Sequence, residues 1–212
     1  MVSEFRPTRP GSPRLPAARR RRQLLDVAIE VFASRGFHGT SMEELAEAAG
    51  VTKPVLYQHF SSKRLLYLEL LDDVGSQLVD AVTGAVTAAS GPHRQVEAGF
   101  RAYFRFVATQ TNAFQLMFGS GGSRDEEFAE AVRRVEDRMA GSIAALIEAD
   151  IDPDHRQIIG YGIVGLAETT SRHWVSGAEG EGNAAVDLAE ADHLALRIAE
   201  LTWGGLRGVR RC

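Results

Sequence analysis

The sequence predicts an all-α protein of about nine helices, and three observations lead to that prediction. Apolar residues recur at helical spacing over long stretches such as residues 63–89. Capping residues and glycine or proline breaks separate these stretches, as at Gly91-Pro92 and Asp152-Pro153. No stretch has the alternating apolar and polar pattern of a half-buried strand. We therefore expect helices that pack around shared apolar faces.

The composition is that of a globular protein without a membrane span. The 212 residues are 44% apolar and 25% charged. The longest apolar run, around residues 158–167, is interrupted by glycines and falls short of the roughly 18 residues that a membrane helix requires. Cys212 is the only cysteine, so no intrachain disulfide is possible. With no signal-peptide pattern either, we expect a cytoplasmic location and no membrane partner.

The first element, residues 1–18, is rich in proline, arginine and serine, and we expect it to be a disordered or extended basic arm. Residues 1–22 carry a net charge of +6, so the other 190 residues carry −10. A basic N-terminal segment on an otherwise acidic protein predicts that only this segment and its neighbourhood contact a polyanion. The arm and the arginine run that ends in Arg21 and Arg22 either contact DNA phosphates and a minor groove or simply aid solubility.

Residues 40–63 read TSMEELAEAAGVTKPVLYQHFSSK, the pattern of two short helices joined by a glycine turn. A helix over residues 23–35 precedes them. Ser41 and Glu44 have capping-box spacing at the first short helix, and Gly50 supplies a left-handed turn at its end.

The second short helix has Thr52 as its cap and Pro54 in its first turn. Leu56 and Phe60, four residues apart, should face inward. That leaves five side chains facing outward or sideways: Lys53, Val55, Tyr57, Gln58 and His59. A short helix that presents an amine, a phenol, an amide and an imidazole is suited to the major groove of DNA.

Six more helices should follow. Leu65, Leu66, Leu70, Val74 and Leu78 form the apolar stripe of the first of them. Ser123 with Glu126, and Asp152 with Pro153, mark the starts of two others. The expected bounds are about 63–89, 92–109, 112–118, 123–149, 153–175 and 184–206, with loops at 119–122 and 177–182.

The segments TSMEELAEAAGV, TKPVLYQHF and SSK, after a helix that ends at Gly36-Phe37, resemble the DNA-binding domain of the TetR family of bacterial repressors, over residues 19–71. The resemblance implies a three-helix helix-turn-helix DNA-binding domain over residues 19–64 and a C-terminal helical ligand-binding and dimerisation domain over residues 65–212. It also implies a homodimeric transcriptional regulator, a repressor that a small apolar or amphipathic effector releases from a double-stranded DNA operator. The competing interpretations are a helical-bundle enzyme that acts on small molecules and a ligand-free helical adaptor.

This resemblance assigns roles in DNA binding. Lys53 should reach base edges, and Val55 a thymine methyl. A backbone N–H of Thr40 or Ser41, at the start of the first motif helix, can donate to a phosphate. Phosphate contacts are also expected from four side chains, Thr52, Tyr57, His59 and Lys63. Arg21, Arg22 and Pro54 complete the expected DNA-binding set.

Large aromatic and sulfur-containing residues crowd the middle of the chain. A core accounts for most of them, but two adjacent segments hold more rings than a small helical body needs. Proteins resembling TetR bind an inducer between the equivalent helices, and a largely apolar cavity with a few polar groups is typical of ligand sites. The expected ligand-binding residues are Phe100, Tyr103, Phe104, Val107, Phe114, Met117, Phe118 and Met139.

The last two long helices should form the dimer surface. Two half-sites about 34 Å apart on DNA call for a twofold-symmetric protein. Intrachain packing is the alternative for some of these residues. The expected interface consists of Ile159, Gly162, Ile163, Leu166, Thr170, Trp174, Leu194, Ile198 and Leu201.

Two other patterns point away from catalysis. Residues 160–165 match GxGxxG, but a helix cap precedes them instead of the strand that a dinucleotide site needs, so we predict helical glycines and no cofactor. The six histidines are scattered and form no HExxH motif. We therefore expect no catalytic residue and no metal, although His155, His173 and Glu168 share one predicted helix and leave a metal site as an alternative.

Overall fold

The computed structural model describes residues 16–119, 125–180 and 187–208, and these ranges contain nine helices and no strand, which confirms the all-α prediction. The helices are α1 (Ala17–Arg35), α2 (Met42–Ala48), α3 (Lys53–His59), α4 (Lys63–Ala88), α5 (Pro92–Thr109), α6 (Thr111–Phe118), α7 (Glu126–Ala145), α8 (Pro153–Gly180) and α9 (Leu188–Leu206).

Helices α1 to α3 form an N-terminal head on the start of α4. Leu24, Ala28 and Phe32 recur at helical spacing on α1 and are buried, together with Leu45 of α2 and Leu56 of α3. The head thus has a small apolar core, to which each of its three helices contributes buried side chains from one face. Its geometry determines which residues of α3 remain on the surface.

Helix α4 connects the head to helices α5 to α9, which we call the body. It packs against α5 and α7, while α9 packs on α5 and α8 on α7. Leu66, Leu70, Val74 and Leu78 form its buried stripe. The sequence also predicts Leu65 in that stripe, but this residue is 52% exposed, because it lies about 100° around the helix from Leu66.

Several predicted boundaries are wrong. Helix α1 begins six residues before the expected position 23, so that Arg21 and Arg22 lie on this helix. Asp125 caps α7 through the N–H groups of Glu127 and Phe128, and α7 ends at Ala145 instead of near residue 149. Helix α8 runs to Gly180, through most of the expected 177–182 loop.

Other predictions fall partly or wholly outside the described residues. They are the basic arm except residues 16–18, the cap at Ser123, most of the loop at 119–122, residues 181 and 182, and Cys212.

Residues 160–165 lie within α8, which confirms that the GxGxxG match is helical. None of the helices in the described ranges is long and apolar enough to cross a membrane. In the same ranges no group of three or more His, Cys, Asp or Glu side chains is placed to hold a metal ion.

Candidate nucleic-acid interface and effector cavity

A capping box fixes the start of α2. The Ser41 hydroxyl accepts the backbone N–H of Glu44 at 3.2 Å, and the Glu44 carboxylate accepts the backbone N–H of Ser41 at 2.8 Å. The bond from the Ser41 N–H is the main reason that the pKa of Glu44 lies below its usual value. Arg35 at the end of α1 adds an ion pair to the same carboxylate at 2.6 Å. The predicted capping box is confirmed, and it ties α2 to α1.

The turn between α2 and α3 requires a glycine. Gly50 has a φ of +63°, in the left-handed region that side chains with a Cβ rarely adopt. The N–H of Val51 donates to the Ala46 carbonyl at 2.9 Å, which closes the end of α2. This turn directs α3 away from α2, so that Leu56 can face the head core.

Helix α3 presents the predicted polar surface. Leu56 and Phe60 are buried, whereas Thr52, Lys53, Pro54, Tyr57 and Gln58 are exposed and Val55 and His59 are half-buried. Thr52 occupies the N-cap position, but its hydroxyl makes no capping hydrogen bond. The Lys53 ammonium lies 3.5 Å from the exposed carboxylate of Glu43, a pair that contributes little in water. These groups are therefore available to a partner.

Thr40 and Ser41 are placed differently from the prediction. The Thr40 side chain is buried, its hydroxyl donates to the Gly36 carbonyl at 2.8 Å, and its backbone N–H donates to Phe37 at 3.5 Å. The Ser41 N–H belongs to the capping box. Neither backbone N–H is free, as the predicted phosphate contact requires, and DNA contact by these two residues stays a prediction.

Lys63 also has partners inside the molecule. Its ammonium donates to the carbonyls of Phe37 at 2.7 Å and Thr40 at 2.6 Å, and it lies 4.4 Å from the centre of the Phe37 ring. The structure thus gives Lys63 the role of holding the α1–α2 turn against the first turn of α4. A phosphate contact through its remaining N–H stays a prediction.

Arg21 and Arg22 link α1 to α4. The Arg21 guanidinium forms a two-pronged ion pair with Glu69, donates to the His59 carbonyl at 2.7 Å and lies 4.4 Å from the Phe60 ring centre. Arg22 pairs with Asp73 at 2.6 Å. These contacts fix the end of α3 relative to α4. Their predicted contact with DNA is untested by the structure.

A third arginine, Arg64, connects α4 to the start of α7, and the sequence alone does not predict this contact. It lies in the first turn of α4 and pairs with Asp125, at 2.7 Å, and with Glu127 at the start of α7. Its guanidinium is also 4.9 Å from the ring centre of Phe128. Because its partners are more than 60 positions away in sequence, no local pattern predicts this pairing.

The body contains an apolar cavity of about 130 Å³ between α4, α5, α7, α8 and α9. Of the predicted ligand-binding residues, Phe100, Tyr103 and Met139 line it. Phe104 and Val107 are fully buried core residues instead. The remaining lining residues were missed, because they come from helices whose packing is not visible in sequence: Val82, Val86, Pro92, Gln95, Val96, Gly99, Ile143, Leu146, Ile147, Ile163, Val164, Ala167 and Trp203.

The other three predicted ligand-binding residues, Phe114, Met117 and Phe118, line a separate groove of about 810 Å³. This groove lies between the head and the body, with Phe32 and Gly36 of α1 on one side. Its other side contains charged side chains: Arg133, Glu136, Glu168 and Arg172. The predicted ligand-binding set is therefore divided between two concavities and the core.

The predicted dimer residues lie on α8 and α9 and are mostly accessible. Leu201 is 64% exposed, Gly162 is exposed, and Ile159, Leu166 and Thr170 are half-buried. Leu194 and Ile198 of α9 are half-buried against the core. Ile163 and Trp174 also pack against the core, and Ile163 lines the cavity as well. The interface itself stays a prediction.

Comparison with known proteins gives matches over both parts of the chain. Residues 24–70 match the family described as bacterial regulatory proteins, tetR family, and residues 92–203 match the tetracyclin repressor-like C-terminal domain. The chain is similar to the HTH-type transcriptional activator FasR of Mycolicibacterium smegmatis, with 32% identity over 92% of this chain and 87% of that protein.

Solved structures give the same picture. A TetR-like transcriptional regulator from Rhodococcus sp. RHA1 matches with a TM-score of 0.70 and 28% identity, over 92% of this chain and all of that one. FadR from Bacillus subtilis, solved in complex with stearoyl-CoA, matches with a TM-score of 0.65 over 87% of this chain and 98% of that one. At 18% identity, the second likeness concerns the fold alone.

Proposed function

The chain belongs to the TetR family of bacterial regulatory proteins and is a transcriptional regulator with a helix-turn-helix DNA-binding domain, not an enzyme. From that premise we propose that it binds a double-stranded operator as a homodimer and that a small apolar or amphipathic effector lowers its operator affinity. A cytoplasmic location is part of this proposal, because the operator lies on chromosomal DNA.

One observation carries the DNA-binding proposal: the side chains on the outer face of α3 are exposed, whereas the polar side chains of the turns around α3 are already hydrogen-bonded within the protein. Thr52, Lys53 and Tyr57 are exposed, while Ser41, Lys63 and Arg21 hold the surrounding turns. A short helix held this rigidly can insert into a major groove without rearrangement of the head. The phosphate roles of Thr52 and Tyr57 and the base-edge role of Lys53 belong to this proposal.

The apolar cavity supports the effector proposal. Its lining residues are almost all aliphatic or aromatic, and Gln95 adds a polar amide, as is usual for ligand sites. Val82 and Val86 of α4 line it, and the same helix carries Lys63 and Glu69, which hold the head. A ligand that shifts α4 thereby shifts α3, and a coupling of roughly 1–3 kcal/mol suffices for a switch. A ligand-free adaptor would have no use for this cavity.

The sign of regulation follows from where the operator lies. A bound dimer represses a promoter if it excludes the polymerase and activates one if it helps the polymerase to bind. We propose repression, while the relative FasR carries the name of an activator. A reporter gene behind the footprinted promoter decides between the two: deletion of the regulator should raise expression, and lower expression would make the protein an activator.

A footprint tests the proposal as a whole. The purified protein should protect a short, inverted-repeat sequence in the DNA upstream of its own reading frame or of a neighbouring one. An extract of the producing cells should supply the effector and remove the protection. Protection that never appears on any such fragment would overturn the proposal.

A further inference from the structure

Five polar side chains meet between the apolar cavity and the groove, and the DNA-binding account leaves them unused. Tyr103 comes from α5, Glu136 from α7, and Glu168, Ser171 and Arg172 from α8; we call them the carboxylate cluster. The Tyr103 ring lines the cavity, whereas Glu136, Glu168 and Arg172 line the groove.

The carboxylate cluster lies at the end of the cavity that is nearer the groove. On α7, Met139 and Ile143 line the cavity, and Glu136 comes one turn earlier. On α8, Val164 and Ala167 line it, and Ser171 comes one turn later. Both helices therefore lead from apolar lining residues to the same polar group of side chains.

Two buried hydroxyl groups of the cluster have no hydrogen-bond partner among the residues that the structure describes. Ser171 is completely buried, and Tyr103 is nearly so. The two hydroxyl groups lie near each other. Even so, neither the Ser171 Oγ nor the Tyr103 hydroxyl makes a hydrogen bond of acceptable distance and angle within the described residues. Buried polar groups are nearly always paired in folded proteins. A ligand group that is held at this point would satisfy both hydroxyls.

The cluster also has an excess of negative charge. Glu168 forms an ion pair with Arg172 at 3.1 Å, and Glu136 adds a second carboxylate beside this pair. Burial, then the charge of Glu168 and a hydrogen bond with it, raise the pKa of Glu136 to about 7, and Asp137 adds to the effect while Arg172 opposes it. The site is therefore one where a positive charge is favoured and a further negative charge is not.

We propose that the carboxylate cluster binds a primary ammonium group at the end of an apolar chain, with the chain lying in the cavity. The three N–H donors of an ammonium match the Glu136 carboxylate and the oxygen atoms of Tyr103 and Ser171. An alcohol lacks the charge. A carboxylate would be repelled by Glu136 and Glu168, and the one guanidinium of the cluster, Arg172, is already paired with Glu168. This inference rests on the proposed ligand response and specifies the chemistry of the ligand.

The test uses n-octylamine as the probe, with n-octanol and n-octanoate as controls of equal chain length. In calorimetric titrations, n-octylamine should bind at least about tenfold more tightly than either control. Because the bound cation favours the ionised form of Glu136, binding should release a proton at about pH 6.5, seen as a dependence of the heat on the buffer.

Three variants complete the test. Glu136→Gln resembles the protonated side chain and should fold, and it should abolish both the proton release and the preference for the amine. Tyr103→Phe removes only a hydroxyl and should weaken amine binding without affecting n-octanol. Glu130→Gln removes a charge from the same helix outside the cluster and should change nothing.

Equal binding of the three probes, no proton release, or an unchanged Glu136→Gln variant would overturn the inference. Operator binding is measured separately, without any probe. Retained operator binding with no preference for the amine refutes only the ammonium site, whereas amine binding without operator binding refutes the proposed function instead.

Discussion

At the scale of single residues, the cations of the head divide into two groups. Lys63, Arg21 and Arg22 have their charges directed at carbonyls and carboxylates of the protein itself. Within the described part of the chain, Lys53 has only the exposed carboxylate of Glu43 as an ion-pair partner, at 3.5 Å. Buried or bridging cations stabilise the head, whereas an exposed one is free to contact DNA, so the two groups should respond differently to substitution.

Replacement of Lys53 by alanine should relax sequence preference. The loss of a base contact costs about 1–3 kcal/mol on the operator and much less on unrelated DNA. Binding curves on the operator and on a scrambled fragment measure the difference. Equal losses on both fragments would show that Lys53 contacts phosphates and not bases.

Replacement of Lys63 by methionine should destabilise the protein by about 2 kcal/mol, because two carbonyls lose a charged hydrogen-bond donor. Lys53→Met is the matched control, and its effect on the free energy of unfolding should stay within about 0.5 kcal/mol. Thermal unfolding of both variants checks this. An effect of Lys63→Met no larger than that of the control would contradict the role in the α1–α2 turn.

Glu136 should make stability depend on pH. Its folded-state pKa of about 7 lies above the ordinary value of 4.5, so the folded state binds the proton more tightly than the unfolded state does. Stability should therefore fall as the pH rises from about 4.5 to about 7, and the fall should be weaker in Glu136→Gln. Denaturant titrations across this range measure it, and identical pH profiles of the two proteins would refute the assignment.

At the scale of elements, α4 is the member that joins head and body. Arg21 on α1 binds both the end of α3 and Glu69 on α4, and Arg64 on α4 binds the start of α7. Gly75 lets α4 approach α7 closely, since a Cβ at this position would lie 2.2 Å from a methyl of Val135. We therefore expect a displacement of α7 or α4 to shift α3.

Gly75→Ala should force α4 and α7 apart and destabilise the protein by about 1–3 kcal/mol. The matched control is Gly84→Ala, on an exposed turn of the same helix where a Cβ meets nothing within 4 Å. That change should stabilise the helix by up to about 1 kcal/mol. Unfolding midpoints compare the two, and a stabilising Gly75→Ala would contradict the close approach.

Elements with local sequence patterns could be predicted, and those that depend on distant partners could not. Ser41, Gly50 and Pro92 mark helix ends through their own backbone chemistry, and those ends agree with the structure. The first turns of α1 have no apolar periodicity, and Arg21 and Arg22 there pair with residues 48 and 51 positions away. The ion pairs that hold this part of the helix against α4 therefore depend on the tertiary fold and not on a local pattern.

The same limit applies to the cavity. Phe100, Tyr103 and Met139 could be selected because large apolar side chains recur at helical spacing on α5 and α7. Val164 on α8 and Trp203 on α9 form other parts of its wall, and only the packing of the helices brings them there. Glu136 and Glu168, 32 positions apart, meet for the same reason.

At the scale of the whole molecule, the account requires a twofold dimer that spaces two α3 helices along DNA. Leu201→Glu places a charge on an exposed apolar position of α9, and it should convert dimers to monomers and reduce operator affinity at least about tenfold. Leu65→Glu, at another exposed leucine, which lies on α4, should leave the dimer intact. Light scattering with size-exclusion chromatography gives the masses, and a dimeric Leu201→Glu protein would exclude this part of α9 from the interface.

The most direct measurement is the composition of the complex between the purified protein and genomic fragments at low ionic strength. We predict that the protein selects a few fragments with inverted repeats and that each complex holds an even number of protomers. Its affinity for them should fall steeply with salt, as phosphate contacts require. A protein that stays monomeric, or that shows no preference among the fragments, would contradict the account.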